Sequence, residues 1–222
     1  MRRAITAALA TAEVLVFARP ALAQAPVALV EEVRGHPADV EFMDYVRASK
    51  VIRLGPRESI VLSYLASCWR ETITGGTVTV GTEQSDVQGG KVARAKVPCD
   101  GGRISLTPGQ ANESAGTIFR STTLEAPLTL YGVSPVVDAT AGDALLIVRT
   151  DQRGEHHLTT MPKRPGTRRS FLDLARVRMI LTPGGTYRAS IGTRGIVFRV
   201  DPAARSSGVP IVSRLLRFQG AN

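Results

Sequence analysis

The chain has 222 residues, 43% of them hydrophobic and 21% charged, a balance that suits a globular core and excludes wholesale disorder. Lys and Arg outnumber Asp and Glu by 28 to 19, a net charge of +9, while three His and two Cys leave little material for a metal site. Gly and Pro, at 21 and 13, are too few for a collagen-like or low-complexity chain.

The N-terminus reads as an export signal. Met1-Arg2-Arg3 supplies positive charge, Ala4 to Ala18 is mostly apolar, and Ala21-Leu22-Ala23 forms a small-x-small cleavage site before Gln24. The apolar stretch is too short to anchor in a bilayer. Glu13 and Arg19 are unusual for such a signal, and an N-terminal helix of the folded domain is the competing reading. Arg2-Arg3 lacks the residues that follow in a twin-arginine signal. Removal of residues 1–23 leaves 25 basic and 18 acidic residues, a charge of +7. No later window holds 18 uninterrupted apolar residues, so no transmembrane segment is expected after signal removal. The expected location is periplasmic or secreted.

In an exported chain, Cys68 and Cys99 are expected to form a disulfide. It would close a loop of about 32 residues, for which chain entropy gives roughly 3.5–4 kcal/mol. The competing reading is a nucleophilic thiol at Cys68 beside Arg70, with His36, His156 or His157 as base. No spacing links these groups. A strand-end Cys followed by Arg loosely resembles cysteine transpeptidases.

Strand signals dominate the mature chain. Val27 to Val33 is β-rich and ends at Gly35 and Pro37. Val51 to Leu54 leads to Gly55-Pro56, a turn pair. In Ser59 to Leu65, Ile60, Leu62 and Tyr64 share one face while Val61 and Leu65 share the other, the pattern of a strand buried on both sides. Trp69 to Thr74, Gly75-Gly76 and Thr77 to Val80 predict a hairpin with Ile73 facing Val78. Gly89-Gly90 predicts another turn before Lys91 to Val97, and Asp100-Gly101-Gly102 ends this unit. Residues 107–123, rich in Thr, Ser, Gly, Asn and Pro, read as a linker or long loop. Beyond them, Leu128–Val133, Ala144–Arg149, Arg176–Leu181, Thr186–Ile191, Gly195–Val200 and Ile211–Phe218 are predicted strands, with Thr182-Pro183-Gly184-Gly185 a tight connection. Phe171 to Leu174 fits either a helical turn or a strand start. The expected fold is all-β: residues 24–106 as one β domain and residues 124–222 as an immunoglobulin-like sandwich.

Three segments carry a family resemblance: Leu29-Val30-Glu31-Glu32-Val33-Arg34-Gly35, Val51-Ile52-Arg53-Leu54-Gly55 and Ser59-Ile60-Val61-Leu62-Ser63-Tyr64-Leu65. With Gly75-Gly76-Thr77-Val78-Thr79-Val80, they make residues 29–80 similar to the periplasmic domain of iron-dicitrate-sensor (FecR-type) proteins. Where those domains carry Asp-Gly-Ser between strands, this chain has Cys68-Trp69-Arg70-Glu71, and it lacks their transmembrane helix and anti-sigma segment. The resemblance implies an exported β domain used for contacts and carries over no site residue.

No dinucleotide fingerprint or phosphate loop is present. Gly132-Val133-Ser134-Pro135 lacks the second glycine of a nucleophile elbow, and no Ser-x-x-Lys partners a Lys-Thr-Gly. Glu155, His156, His157 and Asp151 form the densest metal-capable group, but adjacent His on a strand point to opposite faces, and a solvated loop is the simpler reading. His36 with Asp39 and Glu41 is similar. Glu71, Glu83 and Asp86 are acids whose relative placement the sequence does not define. No catalytic residue, metal ligand or cofactor is expected.

The basic residues are more suggestive. Lys163, Arg164, Arg168 and Arg169 place four cations in seven positions, and Arg176, Arg178, Arg188 and Arg199 alternate with apolar residues. If these strands share a sheet, its polar face carries an arginine stripe that attracts polyanions, with Lys163, Arg164, Arg168, Arg169, Arg176 and Arg178 as the contact residues. A basic surface that only aids solubility is the alternative. The chain is expected to be a non-enzymatic, exported cell-envelope protein that binds or scaffolds. Its partner would be an envelope protein or an anionic glycan or lipid, and nucleic acid is not expected. The rivals are an envelope enzyme acting on wall or glycan (a thiol transpeptidase or hydrolase) and a periplasmic sensor subunit working with a membrane partner.

Overall fold

The computed structural model describes residues 25–37, 39–101, 127–139, 144–162 and 170–218, and these are almost entirely β. The first half supplies β1 (Ala28–Arg34), β2 (Tyr45–Val46), β3 (Val51–Tyr64), β4 (Trp69–Val80), β5 (Ser85–Gln88) and β6 (Lys91–Lys96). They form one antiparallel sheet in the order β2-β1-β3-β4-β5, with β6 also paired to β4. The second half supplies β7 (Leu128–Gly132), β8 (Val136–Ala139), β9 (Ala144–Arg149), β10 (His156–Thr160), β11 (Ser170–Asp173), β12 (Thr186–Ile191), β13 (Arg194–Arg205) and β14 (Leu215–Arg217). These make a five-stranded sheet, β10-β9-β12-β13-β7, and a three-stranded sheet, β11-β8-β14. The β13–β7 and β14–β8 pairs are parallel.

The three-stranded sheet is the middle layer. One of its faces, with Val137 and Leu216, meets Leu145, Ile147, Tyr187, Ala189, Phe198 and Val200 of the five-stranded sheet. Its other face, with Val136, Phe171 and Leu215, meets Leu29, Met43 and Leu65 of the first sheet. Alternation explains both contacts, because neighbours along a strand point to opposite sides. Each large aliphatic or aromatic side chain taken out of water contributes about 1.5–3 kcal/mol, so the seam is held by the same force as the cores. Ring contacts add to it: Phe42 meets Phe171 edge-on at 5.2 Å, and the Arg217 guanidinium lies 4.3 Å from the Tyr45 ring centre. As its sequence pattern requires, β3 is buried on both sides from Ile60 to Tyr64.

The glycine pairs play a different part from the one expected. β4 is a single strand through Gly75-Gly76, so the hairpin does not form. Ile73 pairs with Ile60 and Val92, and Val78 with Ile52 and Val87. Gly89-Gly90 is no reversal either: Thr77↔Gln88 and Thr74↔Lys91 belong to one continuing register, which sets Gly89-Gly90 opposite Gly75-Gly76. On the other side of β4, the β3 register is interrupted between Leu54 and Ser59, at Gly55-Pro56. All three glycine sites therefore lie on one line across which the sheet bends. A Cβ on Gly90 would collide with the carbonyl of Gly75, and one on Gly76 with that of Gln88. Positive φ at Gly75 (64°) and Gly76 (81°) suits a bend in a paired strand as well as it suits a primed turn. The true reversal is at residues 81–84, closed by the Gly81 amide on the Gln84 carbonyl at 3.1 Å.

Two predicted strands of the second half are also corrected. Arg176–Leu181 is not a strand. The Asp173 carboxylate accepts the Ala175 amide at 3.0 Å, the Arg176 amide reaches the Asp173 carbonyl at 3.0 Å, and Arg178 takes φ 57°. This capped turn leaves Val177 and Ile180 exposed and buries Leu181. Ile211–Phe218 opens as a 3₁₀ turn, Ile211–Arg214, after Pro210, and only Leu215–Arg217 is strand. Conversely, His156–Thr160, expected as loop, is the edge strand β10.

Candidate binding face

The five-stranded sheet has one face on the core and one facing out. Along β12 and β13, Tyr187, Ala189, Ile191, Phe198 and Val200 point inward. Arg188, Val197 and Arg199 therefore point outward. On β9 and β10 the outward residues are Leu146, Val148, His156 and Leu158. The ladders set His156, Val148, Arg188 and Val197 side by side across four strands, with Leu158 opposite Leu146 in the next row. Arg199 lies between Thr186 and Thr129. Three of the aliphatic side chains are strongly exposed for a folded domain: Leu158 at 69%, Val197 at 47% and Leu146 at 38%. Arg188 lies over Gly195, whose missing side chain makes room: a Cβ there would be 3.0 Å from Arg188 Nη2. Neither Arg188 nor Arg199 has an ion-pair partner among the described residues.

The expected arginine stripe is thus only partly assembled. Arg188 and Arg199 share a face, but Val197 and Val148 stand beside them. Arg176 and Arg178 lie on the turn after β11, exposed but off any sheet, which corrects their strand placement. Lys163, Arg164, Arg168 and Arg169 lie outside the described residues.

The acid and histidine group near β10 closes the end of this sheet. Arg149 Nε donates to Asp151 at 2.9 Å and its Nη1 to Glu155 at 3.3 Å. The hydrogen bond from Arg149 holds Asp151 down to a pKa of about 2. Burial pushes Glu155 up, but donation from Tyr187 Oη at 2.8 Å and Thr182 Oγ1 at 3.0 Å outweighs it and leaves the carboxyl below its ordinary value. His157 Nε2 stands 3.5 Å from Glu155, while His156 points out on the opposite face. Asp39, the acid beside His36, accepts the Arg53 amide at 3.4 Å, and Glu41 donates its own amide to Asp44 at 2.8 Å. Among the described residues, no three His, Cys, Asp or Glu are grouped to hold a metal ion.

Glu71 is fully buried and takes part in a structural network. It accepts the Ser85 amide at 3.1 Å and Arg94 Nε at 2.6 Å, and Ser85 Oγ is 2.9 Å from Tyr64 Oη. Asp86 is at the surface with Gln88, so these acids do not converge. Cys68 and Cys99 are disulfide-bonded, with Cα atoms 5.7 Å apart, which leaves no thiol on Cys68 to act as nucleophile. The bond ties the β3–β4 turn to the end of β6, next to Asp100, whose carboxylate accepts the Thr129 amide of β7 at 2.8 Å. Comparison of the chain with family models, curated proteins and solved structures finds no match.

Proposed function

We propose that this is an exported, non-enzymatic protein of the cell envelope, periplasmic or secreted, whose role is to bind or scaffold. The observation that carries this reading is the outer face of the five-stranded sheet. Exposed Leu146 and Leu158 pair there, with Val148 in the next row, and Val197 stands across Arg188 from Val148; among the described residues Arg188 and Arg199 have no ion-pair partner, and the face is the outermost layer of a stacked β structure. Contiguous apolar side chains of this kind in water mark interaction surfaces. The Cys68–Cys99 disulfide supports an oxidising compartment. Among the described residues, no helix is long and apolar enough to cross a membrane. The FecR-type resemblance of residues 29–80 and an immunoglobulin-like second half both fit a contact-making module.

The test is fractionation of the producing cell with non-reducing electrophoresis, followed by passage of envelope extract over the immobilised mature chain. The reading expects a processed chain beginning at Gln24, unreactive to alkylating agents until reduced, and selective retention of an envelope component. A cytosolic, unprocessed chain with free thiols would overturn it.

A further inference from the structure

We infer that the outer face of β9, β10, β12 and β13 docks an acidic protein partner, one that presents aliphatic side chains around a carboxylate. This rests on the binding reading above and names its site and its partner class.

The chemistry of the face is specific. Arg188 is flanked in register by Val148 and Val197, its guanidinium lies over Gly195, and among the described residues no carboxylate pairs with it. A planar guanidinium set among aliphatic side chains suits bidentate capture of a carboxylate, in surroundings that would become dry on docking. Arg199, one strand across and one row on, offers a second cation. Asp201, two residues further along β13, is turned to the Ala203 amide at 2.7 Å. The histidine and carboxylates nearby do not neutralise the face: Asp151 and Glu155 are taken up by Arg149, Thr182 and Tyr187. An arginine anchor within an apolar patch is the composition of interface centres, which favour Arg and disfavour Lys.

Charge and composition of this face favour that partner over the other occupants. A second copy laid face to face would set Arg188 and Arg199 against the same cations on a mature chain of net +7. An anionic membrane needs a polybasic cluster or deeply inserting side chains. Among the described residues, the outward side chains of the four strands offer two arginines and one histidine and no Phe, Tyr or Trp, while the basic run 163–169 lies outside the described residues.

The experiment uses the mature chain with a photo-crosslinking residue at position 197 or, separately, 158, irradiated in envelope extract, and maps the crosslinked segment by mass spectrometry. In parallel, binding is measured to a synthetic amphipathic Leu/Glu peptide, to its Leu/Lys counterpart and to phosphatidylglycerol vesicles. The proposal expects a mapped partner segment rich in Asp or Glu and aliphatic residues. It also expects about tenfold preference for the Leu/Glu peptide, reversed in R188E/R199E with unchanged melting temperature. Equal affinity for both peptides, a crosslink into this chain itself or a second copy, or vesicle binding lost in R188E/R199E would each overturn it. Envelope retention that persists in R188E/R199E would overturn this site while leaving the broader binding reading in place.

Discussion

The side chain of Glu31 in β1 accepts the backbone amide of Val212 at 2.6 Å, joining positions 181 residues apart across the seam between the first sheet and the three-stranded sheet. Its other oxygen accepts Arg70 Nε at 3.1 Å. Glu31 sits where the β1–β3 register slips between Val30 and Glu32, and a bulge of this kind re-aims a side chain. A carboxylate that is almost wholly buried is tolerated here because both oxygens are satisfied. Replacing Glu31 with Ala leaves the Val212 amide and Arg70 without that acceptor. The expected loss is about 2–4 kcal/mol, below the full cost of breaking a buried pair because Arg70 is one-third exposed. Chemical denaturation measures the total. Hydrogen exchange at Val212, faster in Glu31→Ala than in a control variant of equal instability, shows that the loss is at the seam.

The disulfide predicts a second, independent loss. The bond spans 31 positions, and Cys68→Ser with Cys99→Ser should lower stability by about 2–4 kcal/mol. Because Asp100 follows Cys99 and holds the start of β7, residues 128–132 should also exchange faster. A denaturation midpoint unchanged by reductant would contradict this.

Acid should weaken the far end of the molecule through Asp151. Its pKa is lowered to about 2 from 3.8, first by the hydrogen bond from Arg149, then with help from the Thr186 amide. A carboxyl with a depressed folded pKa adds stability above its ordinary value and loses it as pH falls through the folded one. The loss therefore falls between about pH 4 and pH 2, where Asp173 contributes in the same direction: burial pushes it up, but the hydrogen bond and charge of Arg214 overcome this. Melting temperature followed across that window should fall less steeply in Asp151→Asn than in the parent. Parallel curves would reject the role given to Asp151.

Two glycines separate the reasons for having glycine at the sheet bend. Gly89 and Gly76 both have positive φ, 67° and 81°, but a Cβ on Gly89 would touch nothing within 4 Å, whereas one on Gly76 would meet backbone. Gly89→Ala should cost about 1 kcal/mol, the price of the left-handed conformation alone. Gly76→Ala should cost about 3 kcal/mol or more, since strain and backbone collision combine. Urea midpoints of the two variants decide it, and equal values would mean the strands do not meet at this line.

These glycines show what was legible in the sequence and what was not. The need for unusual backbone at Gly75-Gly76 and Gly89-Gly90 could be read locally. Whether the chain then reversed or merely bent depended on β3 beside them, which is not local information. Burial of β3 on both faces was legible because Val61 and Leu65 oppose Ile60, Leu62 and Tyr64 within one short run. The alternation over Arg176–Leu181 had the same appearance, but Asp173 caps a turn there and no neighbouring strand takes up the ladder. The outer face was half legible. Arg188 and Arg199 stood out as cations between apolar residues, while the exposure of Leu146 and Leu158 follows only from β9 and β10 lying at one edge of the outermost sheet, and β10 itself reads in sequence as loop. Glu31 gave no local signal, because its partner lies 181 positions away.

Base should act on the first sheet through Tyr64. Burial, set against the stabilising hydrogen bond with Ser85 and reinforced by the charge of Glu71, raises its pKa from 10.0 to about 12. A group whose folded pKa is raised stabilises the protein fully below its unfolded value and loses that contribution as pH climbs toward the folded one. The parent should therefore lose stability between about pH 10 and pH 12 through this residue. Tyr64→Phe removes the titration and leaves Ser85 Oγ without that partner, at a cost near neutrality of about 1 kcal/mol. Denaturation of both proteins along a pH series should thus converge as alkali is added, the variant starting lower and falling less. Curves that stay a constant distance apart would show that the Tyr64 hydroxyl ionises as freely in the folded chain as in the unfolded one.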